Sequence, residues 1–109
     1  MTLSKKQLRQ LQVLHLCPEK SRKDLLKRLP TSCVKAICEC ILNVLKGNVP
    51  LTKHQKRGLQ KHKSTLRRLS VKKDPLYIKR KLIVQKGGFL NILIPAALSA
   101  VTGLINGIR

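Results

Sequence analysis

The sequence predicts a small all-α protein: a helical bundle with a C-terminal apolar helix set off by a Gly-Gly break. Three observations carry that expectation. Leu, Ile and Val recur at helical spacing through most of the 109 residues. Capping signals, prolines and glycines cut the chain into helix-sized pieces. The length suits one small domain with a modest core, and no Gly/Ser-rich linker divides it.

Residues 1–30 read as basic N-terminal helices. Leu3, Leu8, Leu11 and Leu14 lie at helix-compatible spacing, and Pro18 ends that run. Ser21 with Asp24 in the first turn predicts a short second helix through Leu25, Leu26 and Leu29, closed by Pro30. Residues 31–86 read as a helical, basic region. Its first helix spans 33–46, capped by Thr31 or Ser32 and stopped by Gly47. Val34, Ile37, Cys38, Ile41, Leu42, Val44 and Leu45 fall within an arc of about 160° and form a core stripe, with Lys35, Glu39, Asn43 and Lys46 opposite.

Gly47-Asn48-Val49-Pro50 is a turn, and Thr52 with Gln55 makes a capping box for a helix over 53–69. Lys53, Lys56, Arg57, Lys61, Lys63, Arg67 and Arg68 share an arc of about 160° on that helix. Leu59, His62, Leu66 and Leu69 take the other side. Asp74 as N-cap and Pro75 as first residue predict an element over 75–85 whose pattern suits helix or strand; helix is the reading adopted.

Charge dominates the composition. The chain carries 24 Lys+Arg against 4 Asp+Glu, a formal net charge of +20, with 42% apolar residues and almost no aromatics. Self-repulsion at that charge opposes compaction, so a polyanionic partner would stabilise the chain as well as bind it. Nucleic acid and an anionic membrane surface both fit.

Residues 53–86 hold 13 cations and a single acid, Asp74. Closely spaced cations on one surface are what phosphate binding requires, and sequence-independent affinity then comes from counterion release. The expected phosphate contacts are Lys53, Lys56, Arg57, Lys61, Lys63, Arg67, Arg68, Lys72, Lys73, Lys79, Arg80 and Lys81. Gln60 and Ser64 lie in the basic arc, but no base-reading motif frames them, and aromatic platforms for single strands are nearly absent. A plain solvated face would usually mix signs.

No catalytic constellation appears, and the expectation is that the protein is not an enzyme. Glu19, Asp24, Glu39 and Asp74 are scattered; His15 and Cys17 have no third orienting group. Cys17, Cys33, Cys38 and Cys40 form no C-x-x-C, and His15, His54 and His62 fall at no zinc-finger spacing. On one helix Cys33 and Cys40 stand about 10 Å apart, too far to bridge, so reduced packed thiols without metal or other cofactor are expected. The N-terminus lacks the apolar run of a signal peptide.

Residues 87–109 form an apolar C-terminal segment, uncharged from Phe89 to Ile108. Twenty such residues could span a bilayer, but Pro95, Asn91, Asn106, Gly103 and Gly107 weaken a span. Pro95 is well placed in the first turn of a helix whose Leu98, Val101, Leu104, Ile105 and Ile108 share a face, with a Ser99, Gly103, Gly107 ridge beside it. Packing on the domain, an oligomer contact and membrane insertion all fit these residues. Because such a face cannot stay in water without association, the expectation is that it folds back on helix 33–46 and the leucine side of 53–69, or oligomerises, rather than crossing a membrane.

A basic run, then Gly87-Gly88-Phe89-Leu90, then Leu93-Ile94-Pro95-Ala96-Ala97 and small apolar residues through Gly103 follow in that order. Over about residues 79–108 this resembles the C-terminal part of the adenovirus core protein X family, precursors of the DNA-condensing peptide mu. The resemblance implies a virion core protein of an adenovirus-like DNA virus or virus-derived element, residing in the virion core and host nucleus, condensing DNA and contacting capsid proteins or itself through residues 89–108. Outside a viral setting an intracellular location is expected. In that family a protease cuts after Gly-Gly within a Met/Ile/Leu-x-Gly-Gly pattern; here the stretch is Gln85-Lys86-Gly87-Gly88, and Gln85 departs from it. The rival expectation is a membrane-active or tail-anchored protein whose basic region grips anionic lipid.

Overall fold

Prolines open three of the helices. Pro18 (φ −59°, ψ 146°), Pro30 (φ −59°, ψ 150°) and Pro75 (φ −68°, ψ 162°) each sit in the N-cap position. Their carbonyls accept the first helical N–H groups: Ser21 and Arg22 on Pro18, Cys33 and Val34 on Pro30, Ile78 and Lys79 on Pro75. A proline's fixed φ and missing donor cost nothing at that position. The computed structural model describes residues 3–107, with side chains described through residue 100. Its elements are α1 (Lys5–Leu16), α2 (Glu19–Lys27), α3 (Thr31–Leu45), α4 (Lys53–Gln60), α5 (Lys63–Ser70), α6 (Leu76–Lys86), a 3₁₀ turn (Gly87–Phe89) and α7 (Leu90–Gly107). No strand occurs among the described residues.

Several expected boundaries move because of those prolines. Ser21 and Asp24 lie inside α2 instead of opening it, and Thr31 and Ser32 lie inside α3 instead of capping it. Asp74 precedes the cap of α6 and pairs with Arg68 across the turn, at 2.9 Å. The element over 76–86 is a helix, as the preferred reading has it.

Side-chain caps define α1 and α4. The Ser4 hydroxyl accepts from the Gln7 backbone N–H (3.1 Å), and the Gln7 side chain accepts from the Ser4 N–H (3.0 Å). Thr52 and Gln55 make the same reciprocal pair at 3.1 and 2.9 Å. Gln7 also donates to the Ser32 carbonyl, so the cap of α1 ties that helix to the start of α3.

α3 is the central helix, contacted by α1, α5, α6 and α7. Its fully buried face is one arc of about 160° turned toward Cys33, Ala36 and Cys40 from the predicted stripe: Cys33, Val34, Ala36, Ile37, Cys40 and Ile41 are all at most 1% exposed. Asn43, predicted on the polar side, is buried and donates to the Glu39 carbonyl and carboxylate. Leu45, predicted in the core, is exposed. The helix ends where Gly47 adopts φ +78°; Asn48 N–H returns to the Asn43 carbonyl and Gly47 N–H to the Val44 carbonyl. That is a Schellman closure, and the Asn48 side chain adds a bond to the Asn43 amide oxygen.

The single helix predicted over 53–69 is two, broken at Lys61-His62. α4 packs on α7 whereas α5 packs on α3, and a change of direction lets each reach its own partner. His62, at φ −109°, turns the chain and sets its ring edge-on to Phe89, 6.1 Å between centroids.

Gly87-Gly88 separates α6 from the C-terminal apolar helix, as predicted. It forms a 3₁₀ turn joining α6 to α7, with the Leu90 N–H bonded to both glycine carbonyls. The tighter turn carries Phe89 fully into the core. Pro95, expected in a first turn, lies inside α7, where its ring cannot donate back to the Asn91 carbonyl.

The three predicted segments share one core. Leu11 and Leu14 of the first, Ile37, Ile41, Leu66, Leu69 and Ile83 of the second, and Phe89, Leu90, Leu93 and Ile94 of the third belong to the same cluster. The radius of gyration is 13.1 Å, equal to the roughly 13 Å of a well-packed chain this long, so the charge does not prevent collapse.

Candidate nucleic-acid interface

Each half of the broken helix keeps its cations in solvent. On α4, Lys53, Lys56 and Arg57 are exposed while Leu59 is buried. Lys61 is exposed at the break. On α5, Lys63, Arg67 and Arg68 are exposed while Thr65, Leu66 and Leu69 are buried. The seven cations predicted on this arc are therefore all accessible, although on two helices. Lys72 and Lys73 in the following turn and Lys81 on α6 are also exposed.

Two predicted contacts stand apart. Lys79 is 8% exposed and lies beside Cys38, so its ammonium is poorly placed for phosphate. Arg80 is half-buried, and its guanidinium donates to the Leu29 carbonyl, holding α6 to the end of α2. Both belong to the packing of α6. The unbroken basic run Lys79-Arg80-Lys81 hides this, because only the tertiary contacts of α6 decide which of the three points outward.

Accessible cations also lie outside residues 53–81, where the density of the basic run gives no cue to them. Lys5, Lys6 and Arg9 on α1, and Lys20, Lys23, Lys27 and Arg28 on or just after α2, are all exposed. Across the described side chains twenty Lys and Arg are exposed, and a single ion pair, Arg68–Asp74, offsets any of them. At 56% and 21% side-chain exposure that pair contributes about 0–1 kcal/mol, so Arg68 remains open to a stronger anion.

Between α4 and α7 lies a cleft of about 550 Å³ lined by His54, Arg57, Gly58, Lys61, Asn91 and Ile92, among others. Gly58 sits directly under the end of the Ile92 side chain, which would have to shift to admit a Cβ. That close approach sets the floor of the cleft, with Arg57 and Lys61 one turn apart on its wall.

The opposite wall is tied down by Arg22. Its guanidinium donates to the Asn91 side-chain oxygen and to the carbonyls of His15 (3.4 Å) and Cys17 (3.5 Å), joining α1, α2 and α7.

All four cysteines are free. Burial pushes the Cys33 thiol up to about 11, partly opposed by Arg80. Burial also raises Cys38, against the pull of Lys79, and lifts Cys40 to about 12 with the help of the neighbouring Glu39. Such thiols stay protonated and unreactive near neutral pH. Among the described residues no three His, Cys, Asp or Glu side chains gather as a metal site.

The helical stretch Leu76–Ala100, 25 residues containing an 18-residue window of mean hydropathy 1.4, is long and apolar enough to cross a membrane; 44% of that window is buried in the fold. Phe89, Leu90, Leu93, Ile94, Ala96 and Ala97 are each at most 2% exposed. Of the face predicted after Pro95, Leu98 packs against the core; the side chains of Val101, Leu104, Ile105 and Ile108 lie outside those described. No protein family, curated protein or solved structure matches the chain.

Proposed function

We propose that the protein binds nucleic acid, duplex DNA in particular, without sequence selectivity, and condenses it. The observation that carries the reading is the run of seven exposed cations across α4 and α5, offset only by the weak Arg68–Asp74 pair. Lys72, Lys73 and Lys81 extend it. The cations of α1 and α2 give the molecule further anion-binding surface, which favours bridging of separate duplex segments over seating on one. Phosphate contacts position a protein without reading bases, and the exposed side chains here are chiefly ammonium and guanidinium groups.

The order of basic run, Gly-Gly and apolar segment resembles adenovirus core protein X, and supports a setting in a virion core and host nucleus. A membrane reading rests on the Leu76–Ala100 stretch. Against it, membrane insertion of that stretch would withdraw Phe89, Leu93 and Ile94 from the core.

Titrating several duplexes of unrelated sequence tests the proposal. Similar affinities are expected for all of them, together with light-scattering aggregates as charge neutralisation is approached. A strong preference for one sequence, or leakage of anionic liposomes at concentrations that leave DNA free, would overturn it.

A further inference from the structure

Away from α4 and α5, α1 and α2 diverge and leave a groove of about 500 Å³. Its floor and far wall are aliphatic: Leu25 and Leu29 of α2, with Pro30 and Cys33 where α3 begins. Its near wall is α1, which presents Lys5, Lys6 and Arg9, all exposed, and no acid lines it. The apolar surface continues along α1 beyond the cations. Val13 is 60% exposed and also lines the groove, and Leu16, one turn on, is 80% exposed.

Lys6, Arg9, Val13 and Leu16 follow one another at spacings of three, four and three residues, so they form one line down α1, cationic at its start and aliphatic at its end.

The chemistry of this face selects its occupant. A ligand here must be anionic toward Lys5, Lys6 and Arg9 and aliphatic toward Val13, Leu16 and Leu25. Nucleic acid satisfies the first half only, since the lining has no aromatic ring on which a base could stack. A second copy of this chain is disfavoured because each carries a formal net charge of +20 and only 4 acids. From Lys6 to Leu16 the line runs about 15 Å, close to three helical turns. Large aliphatic side chains left in water mark an interaction surface, and a groove between two helices, unlike a flat lipid surface, suits a partner helix that enters it.

We propose that the α1/α2 groove docks an acidic amphipathic helix of a partner protein. Its apolar side chains, at i, i+3 or i+4 and i+7, would enter against Val13, Leu16, Leu25 and Leu29. Its carboxylates would gather at one end over Lys5, Lys6 and Arg9. The interaction does not use α4 and α5, which carry the nucleic-acid reading, but it would compete with duplex bridging for Lys5, Lys6 and Arg9.

A display selection from a randomised 16-residue peptide library against the full chain, washed at elevated salt to strip purely electrostatic binders, tests it. The expected winners carry apolar residues at helical period with acids clustered at one end. Val13→Gln/Leu16→Gln, two exposed positions whose change leaves the core intact, should weaken them at least tenfold. Lys56→Gln/Arg57→Gln should leave their binding within about twofold. Winners that are acidic without apolar periodicity would overturn the proposal, as would winners indifferent to the α1 variant. Phosphatidylserine vesicles that bind the wild type and are lost from the α1 variant, with no peptide selected, would make the face a membrane contact and equally overturn it.

Discussion

At the scale of single residues, the buried thiols make a chemical prediction with a sign. Cys33 and Cys40 sit well above their ordinary 9.0, at about 11 and 12, because burial disfavours the thiolate. As pH rises past 9 the unfolded chain loses these protons before the folded one does. The stability they contribute is therefore complete below pH 9 and is lost as pH climbs through 11 to 12. Near pH 8, iodoacetamide should leave Cys33 and Cys40 unmodified in the native protein and label all four cysteines in denaturant, as peptide mass mapping would show. Rapid stoichiometric labelling of either residue without denaturant would mean the centre of α3 is open.

Gly58 gives a packing prediction: Gly58→Val would drive a branched side chain into Ile92 and should cost about 1–3 kcal/mol in urea titrations. An unchanged midpoint would mean that α4 and α7 do not meet there.

At the scale of elements, the helices and most of their joints are legible in the sequence, and the break at Lys61-His62 is not. Periodic leucines and the Thr52/Gln55 box locate helical segments because those signals are local. The prolines read as stops are also starts, since a proline carbonyl serves as the first acceptor. The break at Lys61-His62 leaves no strong local signature; it arises because α4 and α5 have different partners. Lys79 misleads for the same reason: its burial depends on where α6 lies.

The exposed faces survive the break, and this yields a separable pair of outcomes. Lys56, Arg57, Lys61 and Arg67 changed together to Gln should weaken DNA binding and lower its log–log salt slope by about 3 to 4, with circular dichroism unchanged. Leu66→Ala should cost about 2–5 kcal/mol in stability while the folded fraction still binds DNA. Unfolding of the four-Gln variant would show that those cations are part of the packing.

At the scale of the whole molecule, the apolar segment after Gly87-Gly88 is legible as a surface that must be covered, by folding back on the helical domain or by self-association, while its composition alone does not say by which. Uncharged residues suit a membrane, an interface or an interior equally well; what separates them here is Phe89 seated against His62 and the burial of Leu90, Leu93 and Ile94 in the common cluster. Phe89→Ala should accordingly cost about 3–5 kcal/mol, read as a lowered denaturation midpoint. A midpoint unmoved by the change would make the segment an appendage.

The central claim is that a folded +20 protein uses its exposed cations on phosphate. The salt dependence of duplex binding tests it most directly. If the seven cations of α4 and α5 each neutralise one phosphate, log K against log salt should fall with a slope of about −6, the same for unrelated sequences. A slope near zero, or one that changes with the sequence of the duplex, would contradict the account.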